Sequence, residues 1–177
     1  MKTVILGEQQ MDLKAYKNII IIGSPGSGKS WLSRKLAEKT GYPLFHLDKE
    51  LRRENDNAPR EEQIARQKEI ISGEKWIIDG NWNDTMELRF AAADFIIFLD
   101  INRIVCLFSA VKRQGKERSD KPDGIKERII SKSFFNLCGF IWSYHKTGKN
   151  KVLSLREKYP DKPLLIINNR SQMTKLL

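Results

Sequence analysis

The sequence predicts an α/β fold: a doubly wound, three-layer α/β/α sandwich built on a mainly parallel five-stranded sheet. The first observation behind this is a set of five short apolar runs, at residues 18–22, 44–47, 76–78, 95–99 and 163–167. Runs without polar alternation suit strands covered by helices on both faces. The second is the helical spacing of the stretches between them, because strands alternating with helices make βαβ units, and right-handed crossovers wind these into a sandwich. The third is that the runs close in glycine, acid or amide residues, at the carboxyl edge where such sheets bind ligands.

The first run, Ile19-Ile20-Ile21-Ile22, stops at Gly23 and turns at Pro25-Gly26. Gly23, Ser24, Pro25, Gly26, Ser27, Gly28, Lys29 and Ser30 then fill the pattern G-x-x-x-x-G-K-[ST] of a P-loop, a cradle for nucleotide phosphates. A loop that wraps a phosphate must aim successive backbone N–H groups inward, at backbone angles where side chains clash. A helix opening at Gly28 adds unpaired N–H groups and a positive dipole end. Lys29 is placed to reach the β- and γ-phosphates and the Ser30 hydroxyl to bind Mg²⁺, so ATP and Mg²⁺ are the expected cofactors. Leu32, Leu36 and Ala37 at helical spacing supply the helix that must follow the loop.

Gly41-Tyr42-Pro43 ends that helix, and the second strand closes at Asp48. Residues 59–72 begin on proline and acids, carry Ile64 and Ile71 on one edge and end at Gly73, as an exposed helix would. The third strand closes at Asp79-Gly80-Asn81 and the fourth at Asp100. Helices are expected at about 84–92, 102–114, 125–146 and 150–158. A short terminal helix follows Asn168-Asn169-Arg170.

A chain of 177 residues suits one core, so a single domain is expected over 1–177, with residues 1–17 as a polar extension and a lid-like insert at about 112–125. No apolar run reaches the roughly 20 residues of a membrane span, and the opening has neither signal-peptide nor transit-peptide character. The reading is a cytoplasmic protein without membrane contact. Cys106 and Cys138 sit among apolar neighbours and read as buried thiols. The net charge of +10 is uneven: residues 1–100 carry 15 Lys and Arg against 16 Asp and Glu, and residues 101–177 carry 17 against 6. The second half therefore faces something anionic, a nucleotide or DNA.

Asp79 either supports Mg²⁺ through water or closes an Asp-Gly turn. Asp48 either orients an acceptor hydroxyl and takes its proton or caps a short helix. Asp100, ahead of Ile101-Asn102 and a helix, reads as a cap. Lys112 to Gly124 is basic and punctuated by Gly and Pro, the composition of a lid. Its Arg113 and Arg118, with Arg128 beyond, would close over the transferring phosphate, because the arginine fork matches phosphate oxygens. The stretch Ser133 to Tyr144 either packs Phe134, Leu137, Cys138, Ile141 and Trp142 against the sheet or stacks nucleobases. His46 and His145 have no ligand partner at useful spacing and read as structural.

Taken in order, the cradle, His46-Leu47-Asp48, Trp76 to Asn81, Asp94 to Asp100 and the basic loop resemble the adenylate-kinase-like P-loop kinases over residues 18–170. His46-Leu47-Asp48, Ile78-Asp79-Gly80-Asn81 and Tyr159-Pro160-Asp161-Lys162 are most similar to the DNA topology modulation (FlaR-related) group within them. The resemblance implies ATP binding and places Gly80 and Asn81 in an acceptor site. Asn81-Trp82-Asn83 stands where adenylate kinases carry Phe-Pro-Arg, so Arg52, Arg53 or Arg89 is the expected substitute for the arginine that holds an acceptor phosphate. Asp48 matches the acceptor-binding carboxylate of shikimate kinases. Asn169 and Arg170 match the strand end against which the family packs adenine.

The sequence thus predicts an ATP-dependent kinase for a nucleoside, nucleotide or metabolite, with Lys29, Asp48, Arg113 and Arg118 as catalytic groups. The alternative is a nucleic-acid-associated P-loop protein that modulates DNA topology, with ATP as a switch or without turnover. A GTPase-like switch would need an Asn-Lys-x-Asp signature that the chain lacks.

Overall fold

The computed structural model describes residues 3–4, 12–52, 57–113 and 132–177. Its strands are β1 (Thr3–Val4), β2 (Asn18–Gly23), β3 (Leu44–His46), β4 (Trp76–Asp79), β5 (Phe95–Leu99) and β6 (Leu164–Ile167). They pair in the order β1-β6-β5-β2-β4-β3, every pair parallel. All five expected strands form, and the extension adds β1 at the β6 edge, with Thr3 opposite Leu164 and Val4 opposite Leu165. In the centre, Ile19 lies opposite Phe95 on one side and Ile77 on the other. The loop after β2 therefore leaves from the middle of the carboxyl edge, flanked by the ends of β4 and β5.

The helices are α1 (Lys29–Thr40), α2 (Leu47–Glu50), α3 (Arg60–Ile71), α4 (Met86–Ala92), α5 (Arg103–Lys112), α6 (Lys132–Lys158) and α7 (Arg170–Lys175). Strand side chains alternate between two apolar layers. Ile19 and Ile21 pack with Leu32, Leu36, Ile97, Leu165 and Met173 on one face. Ile20 and Ile22 pack with Leu47, Ile70, Phe90, Val152 and Leu155 on the other. Four consecutive isoleucines are buried because each layer claims two of them.

Four expectations are corrected. The helix expected at about 125–146, of which 125–131 lie outside the described residues, joins the one expected at about 150–158 as one helix, α6, which runs through Gly148-Lys149-Asn150 without a break. It continues because Ile141, Tyr144, Val152 and Leu155 keep one buried stripe across that point. That stripe leaves Trp142 53% exposed instead of packed on the sheet, with the Arg103 guanidinium 3.9 Å above its ring. Cys106 is buried as expected, whereas Cys138 is only half-buried. The cap of α5 is Asn102, whose side chain accepts from Ile104 N–H at 2.9 Å, and not Asp100. Among the described residues no helix is long and apolar enough to cross a membrane.

Candidate active site

The cradle is built against two helices. Gly26 has φ 85°, and a Cβ there would lie 2.2 Å from the Cys106 carbonyl oxygen on α5, so only glycine lets the loop lie this close. A Cβ at Gly28, which caps α1, would lie 2.9 Å from Met173 Cε on α7. Within the loop, Ser27 N–H donates to the Ser24 carbonyl at 3.1 Å, and Gly23 N–H donates to Asn81 Oδ1 at 3.2 Å. Lys29 Nζ donates to the Ser24 carbonyl at 3.1 Å, which holds the ammonium across the loop. Ser30 is half-buried in the first turn of α1, and Ser27 Oγ is buried without a hydrogen-bond partner. A buried hydroxyl without a partner at the start of a helix fits an anionic, oxygen-rich guest.

Cations gather behind this loop. Burial pushes the Cys106 thiol up, while Lys29, a Ser24 hydrogen bond, Arg170 and Arg113 pull it back. Arg113 and Arg170 therefore share a field with Lys29. Arg113 follows α5 and donates from Nε to the Ser109 carbonyl at 3.1 Å. Arg170 donates to the Ser109 hydroxyl, and Asn169 caps α7 by accepting from Gln172 N–H at 3.0 Å. Arg118, Arg128 and Arg53, with most of the lid-like stretch, lie outside the described residues.

Asp79 ends β4 beside the cradle and is 4% exposed. Its Oδ2 accepts from the Ser33 hydroxyl at 2.9 Å, and His46 Nδ1 stands 3.0 Å from the same oxygen without the alignment of a hydrogen bond. Both neighbours crowd one oxygen of the carboxylate. Among the described residues, no three His, Cys, Asp or Glu side chains form a metal site by themselves.

Asp48 lies in the first turn of α2 behind its cap, His46, and is not itself the cap. It is half-buried and accepts from Trp82 Nε1 at 3.2 Å, with Arg52 Nε 3.9 Å away. Trp82 has φ 34°, an uncommon backbone for a bulky residue, immediately after Gly80 and Asn81. Arg89, expected as an acceptor-phosphate group, is turned inward at 1% exposure. Its guanidinium donates to Gln67 Oε1, to the Thr85 carbonyl at 3.2 Å and to the Asn81 carbonyl at 2.8 Å, and burial pushes its pKa down to about 9. Asp100 pairs with Lys149 at 2.6 Å, and His145 Nδ1 is 3.7 Å from it, on the wall of a small cavity that Ser24 and Tyr144 also line.

No family model matches the chain. Human UMP-CMP kinase is 24% identical over 171 aligned residues, 76% of this chain and 87% of that protein. A Caenorhabditis elegans adenylate kinase isoenzyme 6 homolog is 44% identical over 46 residues, and the match spans 26% of this chain and 25% of that protein. Shikimate kinase from Bacteroides thetaiotaomicron superposes with a TM-score of 0.55 at 18% identity, covering 91% of this chain and 94% of that one. Shikimate kinase from Acinetobacter baumannii, in complex with shikimate, gives 0.53 at 15% identity over 92% of each chain.

The fold is that of the P-loop kinases. In this P-loop kinase sheet the expected residues fall along one edge: Asp48 after β3, Asp79 to Asn81 after β4, Gly23 to Ser30 after β2, Asp100 after β5, and Asn169 and Arg170 after β6. Arg89 is brought near by Asn81 but faces into the protein. Ser33, Tyr144 and Lys149 were missed. Ser33 carried a legible signal, since it stands one helical turn after Lys29 on the same face of α1. Tyr144 and Lys149 carried none, because nothing in the sequence ties α6 to strand ends that precede it by dozens of residues.

Proposed function

We propose that this chain is an ATP-dependent small-molecule kinase. The observation that carries the reading is the order of groups on three adjacent parallel strands: Lys29 in the cradle after β2, Asp79 at the end of β4 and Asp48 after β3. That is a donor position, a metal-supporting position and an acceptor position in a row. Relatives named for UMP and CMP phosphorylation, and fold neighbours named for shikimate, support the reaction class.

In this reading the backbone N–H groups of Gly26 and Gly28 and the ammonium of Lys29 bind the polyphosphate, on a loop whose Gly23 N–H is held by Asn81 Oδ1, while Ser30 and Asp79 would hold Mg²⁺. The metal, when bound, neutralises charge on the phosphate oxygens. The acceptor oxygen attacks the γ-phosphorus, the bond from that phosphorus to the oxygen of the leaving ADP breaks, and an acceptor hydroxyl gives its proton to Asp48. The Trp82 indole N–H fixes one oxygen of Asp48 and leaves the other for this proton. Arg52 is the cation beside Asp48 for an acidic acceptor, and Arg113 and Arg118 are assigned to the transferring phosphate. Asn169 and Arg170 would flank the base. The test is calorimetry with ATP and Mg²⁺, followed by ATP turnover against nucleosides, nucleotides and hydroxy acids. ATP-binding protein with no acceptor-stimulated turnover would overturn the assignment.

A second reading, DNA contact by a member of the DNA topology modulation group, is supported by the exposed ring of Trp142 beneath Arg103 and by α5 and α6, which together carry one acid, Glu157. A steep loss of DNA affinity with rising salt that survives Lys29→Ala would favour it. A cytoplasmic location belongs to either reading.

A further inference from the structure

Asn81 is held from three directions. Its carbonyl accepts from Arg89 Nη2 at 2.8 Å, and its Oδ1 accepts both the Gly23 N–H and the Tyr144 hydroxyl at 3.2 Å. Gly23 opens the cradle, Arg89 belongs to α4, and Tyr144 comes from α6, where it is 2% exposed. The Tyr144 ring lies directly over Gly148. A Cβ at that position would stand 2.3 Å from ring atoms Cε2 and Cζ. A glycine in the middle of a helix weakens it relative to alanine. Here it makes the room that lets the phenol reach Asn81.

We propose that Tyr144, seated over Gly148, is a positioning residue for nucleotide binding: through Asn81 it fixes the first peptide N–H of the phosphate cradle. This rests on the ATP-binding reading above and gives Asn81 a role other than acceptor contact. An amide side chain has an oxygen and an NH₂ of similar shape, and its terminal torsion is broad and roughly two-fold. Two donors converging on one side, Gly23 N–H and Tyr144 O–H, make the oxygen face the loop. Without the hydroxyl, one donor remains to choose between the two faces of the amide. The NH₂ group can then meet the Gly23 N–H donor to donor, and the loop peptide loses its fixed orientation. Arg89 holds only the backbone of Asn81, so a change at Tyr144 isolates the side-chain effect.

The test is calorimetric titration of ATP with Mg²⁺ into the wild type, Tyr144→Phe, Gly148→Ala and the double variant. Each single substitution is expected to weaken ATP binding by about five- to tenfold, the scale of one hydrogen bond. The double variant is expected to bind no more weakly than Gly148→Ala, because both remove the same bond. Tyr144→Phe deletes one oxygen and decides the matter even where Gly148→Ala fails to fold. Wild-type affinity in Tyr144→Phe, or losses that add in the double variant, would overturn this inference and leave the kinase reading standing. Absence of ATP binding by the wild type would overturn both.

Discussion

The Ser33 hydroxyl donates to Asp79 Oδ2 at 2.9 Å, inside the protein and one helical turn beyond the P-loop lysine. This bond ties α1 to the end of β4, so the cradle and the carboxylate proposed to support the metal are held as one piece. Ser33→Ala leaves a nearly buried carboxylate oxygen with only the misaligned His46 beside it. The expected cost is about 1–3 kcal/mol of stability, read as a lower urea midpoint at unchanged slope. The half-saturating Mg²⁺ concentration for ATP binding should rise with it, because Asp79 is then free to rotate. A variant that shifts neither the midpoint nor the Mg²⁺ dependence would remove Ser33 from the site.

Lys29 Nζ rests 3.1 Å from the Ser24 carbonyl, an oxygen that the proposed reaction has it exchange for phosphate. A charge aimed at the transferring group is worth more in the transition state than in the resting loop. Lys29→Ala is expected to lower kcat/KM by about 10²–10³, equivalent to about 3–4 kcal/mol. The accompanying loss of folding stability should be much smaller, since the carbonyl it leaves still accepts from the Ser27 N–H at 3.1 Å. Steady-state kinetics beside urea unfolding of the same preparation separates the two.

Arg89 is a cation buried at 1% exposure with oxygens of Gln67, Thr85 and Asn81 as acceptors. Arg89→Ala removes their donor and opens a cavity, for an expected loss of about 3–5 kcal/mol. Arg89→Met fills most of the volume and should recover part of it. If Arg89 instead served an acceptor phosphate, the alanine variant would keep its urea midpoint and raise KM for the acceptor alone.

The strands and the cradle were legible because each rests on local chemistry. Apolar β-branched runs need no partner to be recognised, and the P-loop pattern fills eight consecutive positions, Gly23 to Ser30. The carboxyl edge was legible too: Asp79 ends β4 as expected, while Asp48, expected to close its strand, lies just past β3 in α2. What failed was whatever depends on packing at a distance. The break expected between residues 146 and 150 does not occur, and at Gly148 a tyrosine ring occupies the space of the missing side chain. Asp100 reads as a cap until Lys149, far along the chain, is found 2.6 Å from it. Arg89 reads as a candidate to hold an acceptor phosphate, and only the folded position of Gln67 and Asn81 explains why it points inward.

Tyr144 gives the protein an alkaline limit. Burial, then the nearby Asp100, then Cys106 hold its phenol well above the ordinary value of 10.0, so the folded chain keeps a proton that the unfolded chain gives up. With fewer protons bound in the unfolded state, stability falls as pH rises; the contribution of Tyr144 is whole below pH 10 and shrinks by about 1.4 kcal/mol for each unit above it. Burial lowers the pKa of Arg89, which acts in the opposite sense. The two are separated by subtraction. Urea midpoints of the wild type and Tyr144→Phe, measured in parallel from pH 8 to 11, contain the same Arg89 and lysine effects and differ only in the phenol. The wild type's advantage is expected to be constant to about pH 10 and to decline beyond it. Parallel curves throughout would mean that the phenol ionises as readily in the folded chain as in the unfolded one.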